Sequence, residues 1–304
     1  MKVTPSCVAC SLSRRSFELE LLFGHDNARR SLPVLRDIIE AVNLYIGPDI
    51  DAAELATVAF KRAKDVVPLD KLYENLIDKY ISLAINRSKK IEESVEKLDV
   101  VSSISVLLRA AALASGFRVL SVASILEEPP SDLDMVSPRV GIDDSSKVVE
   151  LMREAAARGK PLYYVFRGVL EAPYDMALIR KVREEFNIKV IGIAKIERFE
   201  DHLTVADLER LGYIEYLDDL IEFSAANATL IGDEAEHIYN MFRGAGLVIF
   251  KGALQALHAL NHPPQAPLAL LFTANCSLVS KVFNIPLKSL NIILRNVREK
   301  LRPG

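Results

Sequence analysis

From Asp144 to its end the chain alternates between helix-period and strand-period segments, and this alternation constrains the fold more than any other feature. Helical spacing runs over 147–158, followed by an apolar strand-like run at 162–166. Pro173 then opens a helix reaching Phe186, since proline is tolerated in a first turn. A strand is expected at 188–194, and Thr204 with Asp207 caps a short helix. Helix, strand and helix follow over 234–242, 247–250 and 253–260. Strand, helix and strand close the series at 268–272, 277–283 and 290–294. Such alternation predicts a mainly parallel sheet covered by helices, a three-layer α/β/α Rossmann-like domain.

The first third reads differently. Leu35, Ile38, Ile39 and Val42 follow the i, i+3, i+4, i+7 rule, with Ser31 and Pro33 marking a start. Asp51 with Glu54 has the form of a capping box that opens a second helix through Ala63. A third helix over 70–91 places Leu72, Leu76, Ile77, Tyr80, Ile81 and Ala84 on one face. The stretch SSISVLLRAAALAS at 102–115 is apolar nearly all round, which marks a helix buried in the core. The charged run SKKIEESVEKLD is read as a solvated helix face. Near Leu126 the texture changes to EEPPSDLDMVSPRVGIDDSS, rich in proline and small polar residues. The predicted organisation is therefore a helical subdomain at 1–126, a crossover at 127–148 and an α/β domain at 149–304 that carries the site.

Half of the 304 residues are hydrophobic, enough for a substantial core, and the net charge of −3 gives no electrostatic case for nucleic acid as a partner. No apolar run approaches the roughly 18 residues needed to cross a bilayer. The N-terminal stretch lacks a signal peptide's apolar centre, and three cysteines suit a reducing compartment, so a cytoplasmic location is expected. There is no GxGxxG, P-loop, HExxH or GxSxG motif.

In a parallel sheet the strand ends converge on one edge, so the residues after each strand are the candidates for chemistry. Arg167, Gly168 and Glu171 follow the first of them. Lys195, Glu197, Arg198, Glu200, Asp201 and His202 follow the second, and Lys251 and Gly252 the third. Three strand ends thus carry a cation, and Arg167, Lys195 and Lys251 together would cradle a phosphate or carboxylate. From spacing alone the plainer reading is the better one, with these cations as solvated loop residues paired to nearby glutamates. His202 beside Asp201 has the chemistry of a general base or metal ligand, or of a loop histidine paired with an acid. Cys7 and Cys10 have the spacing of half a zinc site, but no second pair follows nearby.

The order of these segments resembles the damage-control phosphatase family, a metal-dependent group once catalogued as a domain of unknown function. The CVAC at Cys7–Cys10 is similar to that family's N-terminal CxxC. YVFRGVLEAPYD fits its Y-V-x-D-N-A-G-E-x-x-F-D pattern, AKIERFEDHLT its R-G-G-P-x-x-N-D-A-T segment, and AGLVIFKGALQAL its A-D-L-V-I-x-K-G-x-x-N-x-x-x-L segment. The resemblance runs nearly end to end.

That resemblance implies a divalent metal held by an Asp-Asn pair after one strand and an Asp after the next, activating water for phosphate-ester hydrolysis. Here Arg167 and Gly168 stand at the Asp-Asn positions, His202 at a later Asp, and Gln255 at an Asn. Glu171, Asp175, Lys195, Thr204, Asp207, Lys251 and Gly252 keep the family's character. Mg²⁺ requires several hard oxygen ligands and does not accept a guanidinium in place of its carboxylate. The expectation is a degenerate metal site without a cofactor that binds a phosphorylated or anionic small molecule through Arg167, Gly168, Lys195, Lys251 and Gly252, with little or no hydrolysis. The alternative is an active phosphatase rebuilt on Glu171, Asp201 and His202 around Mn²⁺, Co²⁺, Ni²⁺ or Mg²⁺. A further alternative is a protein partner docked on the helical subdomain.

Overall fold

The computed structural model describes residues 3–47, 49–120 and 139–295. Among these residues five helices come first: α1 (Pro5–Phe23), α2 (Ala28–Tyr45), α3 (Ala52–Val66), α4 (Leu69–Val95) and α5 (Val100–Ala114). Each has a sequence cause. The Asp51 side chain accepts from the main-chain N–H groups of Ala53 and Glu54 while Glu54 returns a bond to Asp51 N, which completes the expected capping box of α3. In α4 the buried positions Tyr73, Ile77, Ile81, Ala84, Ser88, Ile91 and Val95 recur at helical spacing, and the charged run reads on as part of the same helix. Helix α2 starts earlier than Ser31, so Pro33 lies inside it and forgoes one main-chain hydrogen bond. Helix α1 was not anticipated, because its core-facing positions include Arg14, Arg15 and Glu18 rather than an apolar stripe.

The sheet elements then alternate with helices: β1 (Val140–Asp143), α6 (Ser145–Ala157), β2 (Leu162–Val165), α7 (Ala172–Phe186), β3 (Val190–Lys195), α8 (Val205–Arg210) and β4 (Asp219–Phe223). The series ends with α9 (Asp233–Met241), β5 (Leu247–Lys251), α10 (Ala253–Asn261), β6 (Leu268–Thr273), α11 (Ser277–Phe283) and β7 (Leu290–Arg295). Among the described residues these strands form one seven-stranded sheet in the order β1-β7-β6-β5-β2-β3-β4. Strands β6, β5, β2, β3 and β4 are mutually parallel, and β7 returns antiparallel to β6 with β1 parallel beside it. The fold is mixed α/β and 58% helical, as the alternation predicts.

Strands β1 and β4 had no sequence signal. Both are edge strands, and β4 reads DLIEF with its acids exposed, so neither presents the apolar run of a buried strand. The stretch read as a crossover carries β1 and the start of α6; its residues 127–138, and the boundary at 126, lie outside the described residues.

Alternating side chains of the central strands feed two cores. Leu162 and Tyr164 of β2 join one cluster that also holds Phe60, Tyr73, Leu107, Leu108 and Ile179. Tyr163 and Val165 join the other, with Ile238, Phe242, Leu257 and Phe283. Helix α5 is apolar all round because it is covered on both sides, by α7 and by β6 and β7. The helical first third and one face of the sheet therefore share one continuous core.

Candidate functional site

The chain runs from β2 outward to β3 and β4, then crosses back to lay β5 on the other side of β2. This reversal opens a crevice at the carboxyl ends of β2 and β5, the usual place for a ligand in such a sheet. Arg167 follows β2, and Lys251 ends β5. The loops after β2 and β3 are stitched together there. Leu203 N donates to Arg167 O at 2.7 Å, Val169 N donates to Asp201 O at 3.0 Å, and Gly168 pairs with His202 in an antiparallel bridge.

Arg167 is buried and its Nη1 donates to three acceptors: Glu171 Oε1, Ser115 O at 3.1 Å and Phe117 O at 3.3 Å. Its Nη2 lies 3.6 Å from Asp201 Oδ1. Glu171 immediately precedes α7 and Asp175 sits in the first turn of that helix, four residues on, so both carboxylates lie on one face. They share Lys251, whose Nζ is 3.3 Å from Glu171 Oε2 and 2.8 Å from Asp175 Oδ1, and which also donates to Ala111 O. Tyr164 adds a 2.7 Å bond to Asp175. Burial raises the Asp175 pKa even against the pull of Lys251.

Gly252 has a use that follows from Arg167. Its φ is +88°, and a Cβ there would fall 2.4 Å from Arg167 Cδ, so the arginine stem crosses the backbone where only glycine fits.

A second group of charges faces the same crevice from α1. Glu200, held at φ +51°, meets Arg15 at 2.7 Å, Arg14 at 3.2 Å and Arg118 at 3.8 Å. Burial opposes its ionisation, but Arg14, Arg15 and Arg118 prevail and hold its pKa at about 2. Arg15 and Tyr73 also bind Glu18, at 2.6 and 2.5 Å. The sequence reading missed Arg14, Arg15 and Arg118; the polar residues on the inner face of α1 were the available signal.

Between these groups lies a cavity of about 530 Å³. Arg167, Lys195, His202 and Lys251 line it, and so do Cys7, Cys10 and Cys276. Lys195 is buried with its Nζ 5.3 Å from the Phe223 ring centroid, and burial lowers its pKa to about 7. His202 packs edge-on against Phe199, its Nδ1 has no hydrogen-bond partner, and burial followed by Lys195, Arg167 and Arg118 depresses its pKa well below the usual imidazole range. It is therefore a neutral imidazole. Asp201 accepts from Val119 N at 3.1 Å, which ties the β3 loop to the segment after α5.

The structure thus brings all the candidate anion-binding residues to one place, but not as one open cradle. Arg167 and Lys251 are occupied by carboxylates and main-chain oxygens, leaving Lys195 without a carboxylate among the described residues. Glu171, Asp201 and His202 do not assemble as a ligand set, nor do Cys7 and Cys10 with Cys276. Among the described residues no group of three or more His, Cys, Asp or Glu is arranged to hold a metal ion. All three cysteines are free thiols.

A family model described as the damage-control phosphatase ARMT1-like domain matches residues 3–290. The chain belongs to this family. Within the family's neighbourhood it is 19% identical over 303 residues to an uncharacterized protein of Methanocaldococcus jannaschii, covering 97% of this chain and 96% of that one. It is 26% identical over 178 residues to a damage-control phosphatase of Pyrococcus horikoshii, covering 55% of this chain and 58% of the relative. The crystal structure of a DUF89 family protein from Pyrococcus horikoshii superposes with a TM-score of 0.72 at 20% identity, over 95% of this chain and 98% of the other. The damage-control phosphatase fold therefore extends over the helical first third as well as the sheet. Against the family's pattern, the position after β2 that resemblance assigns to a metal-binding aspartate carries the Arg167 guanidinium bonded to Glu171 and beside Asp201.

Proposed function

We propose that this damage-control phosphatase family member binds a phosphorylated or otherwise anionic small molecule at the crevice and hydrolyses it little or not at all. The observation that carries the reading is the position of Arg167. Its guanidinium lies among Glu171 and Asp201 at the carboxyl end of β2, with Lys251 between Glu171 and Asp175. A divalent ion would have to enter between two positive groups already bonded to the carboxylates it needs, so we infer that this donor set does not fit one. The fixed charge of Arg167 stands in for the metal's charge by holding the same acids in place. It supplies neither an acidified water nor a vacant coordination position.

What remains for a ligand is positive potential without a strong base. Lys195 and Arg118 face the cavity, and His202 is neutral there. An anion gains charge-assisted hydrogen bonds from these donors in a partly dehydrated site. Calorimetric titration of the full chain with a hexose phosphate, run beside a p-nitrophenyl phosphate assay with Mg²⁺, Mn²⁺, Co²⁺ and Ni²⁺, tests the reading. Binding with no phosphate release is expected. Metal-dependent release lost in Asp201→Asn and His202→Ala would favour the rebuilt phosphatase instead, and no binding at all would end the proposal.

A further inference from the structure

Charge accounting over the cavity separates its walls. Glu171, Asp175 and Asp201 compensate Arg167 and Lys251, while Glu18 and Glu200 compensate Arg14 and Arg15. Among the described residues Arg118 has only the 3.8 Å approach to Glu200, itself already shared with two arginines. Lys195 has an aromatic ring and no carboxylate among the described residues. A buried ammonium without a counter-ion is costly, and a ligand's anionic group would supply what the protein leaves out.

The rest of the lining is mostly apolar, with Ser6, Ser11, Gln255, Asn275 and Ser277 as its polar members. Leu55 and Leu254, with Leu257, Leu278 and Val279 from α10 and α11, line the same cavity. A sugar's hydroxyls laid along these side chains would lose water without finding partners. A hydrocarbon or aromatic body would gain from the same burial. The volume of about 530 Å³ lies in the range of small-molecule sites.

We propose that the cavity takes an amphipathic acid, with its phosphate or carboxylate head at Lys195 and its apolar body along Leu254 and Leu278. This rests on the anion-binding reading above and narrows its ligand to a class. It also predicts a proton linkage. Burial lowers the Lys195 pKa to about 7, and a bound anion holds the amine protonated, so affinity falls as pH rises above that value.

The test is calorimetry on the full chain with octyl phosphate, octanoate, octyl glucoside, glycerol phosphate and inorganic phosphate. Octyl phosphate is expected to bind at least about tenfold more tightly than glycerol phosphate, since several methylenes leave water. Octanoate reports whether a carboxylate head serves as well. Lys195→Met and Leu254→Ser should each weaken octyl phosphate by about tenfold, and Lys195→Met should abolish the loss of affinity above neutral pH. Circular dichroism melting shows whether Leu254→Ser is folded, and Leu254→Arg offers a second block to the apolar wall. Equal affinity for octyl phosphate and glycerol phosphate overturns the amphipathic inference and leaves the anion site standing. Octyl glucoside binding as tightly as octyl phosphate overturns the placement of the head group. No binding by any of the anions overturns both this inference and the reading beneath it.

Discussion

At the scale of single residues, two buried charges make opposite predictions. Glu200 is ionised by three arginines against the cost of burial. Its folded pKa of about 2 lies below the unfolded value, so its contribution is present above the unfolded pKa and lost as pH falls from about 4.5 toward about 2. Glu200→Gln leaves Arg14 and Arg15 buried with a neutral partner, and a loss of about 3–5 kcal/mol is expected in a urea titration. The charge of Lys195 costs stability instead. Its folded pKa is pushed down to about 7, so the unfolded chain binds the proton more tightly at neutral pH and above. Stability should therefore rise between about pH 7 and pH 10.5, and Lys195→Met should raise the melting temperature at pH 7 rather than lower it. A residue that destabilises the free fold while lining a cavity is one whose presence the fold alone does not explain.

At the scale of elements, the site is assembled by loops whose lengths and glycines are legible in the sequence and by contacts that are not. Pro173 and the i, i+4 spacing of Glu171 and Asp175 announce the start of α7 and put both acids on one face. The pairing of Thr204 with Asp207 announces α8. Nothing local says that Arg167 reaches Ser115 and Phe117, roughly fifty residues earlier in the chain, or that α1 turns Arg14 and Arg15 toward Glu200. Those contacts depend on how the helical third is laid on the sheet. For the same reason spacing made Arg167, Lys195 and Lys251 look equivalent, whereas two of them are neutralised and one is not. Gly252 tests the element-level account. Gly252→Ala places a methyl against the Arg167 stem and forces a residue with a side chain to hold φ near +88°. A loss of about 1–3 kcal/mol is expected from the backbone strain alone, and the clash with the Arg167 stem adds to it.

At the scale of the molecule, the alternating second half determined the sheet well, and the edges least. The buried central strands carry continuous apolar runs, while β1 and β4 are edges whose exposed residues hide the pattern. The antiparallel direction of β7 was also out of reach, because periodicity marks a strand without giving its sense. The helical third and the sheet share a core through α5. Residues 139–304 expressed alone should accordingly fail to fold, and the full chain should melt in one calorimetric transition whose van't Hoff and calorimetric enthalpies agree.

The central claim is that this crevice holds an anion and does not turn it over. Phosphorus NMR of the full chain with octyl phosphate observes both halves of that claim at once. The account predicts a broadened, shifted ester resonance in the metal-free sample. It also predicts no inorganic phosphate after incubation with Mg²⁺, Mn²⁺, Co²⁺ or Ni²⁺ and removal of the metal by chelation. An unperturbed ester line, or an inorganic phosphate line that grows with any of these metals, would contradict it.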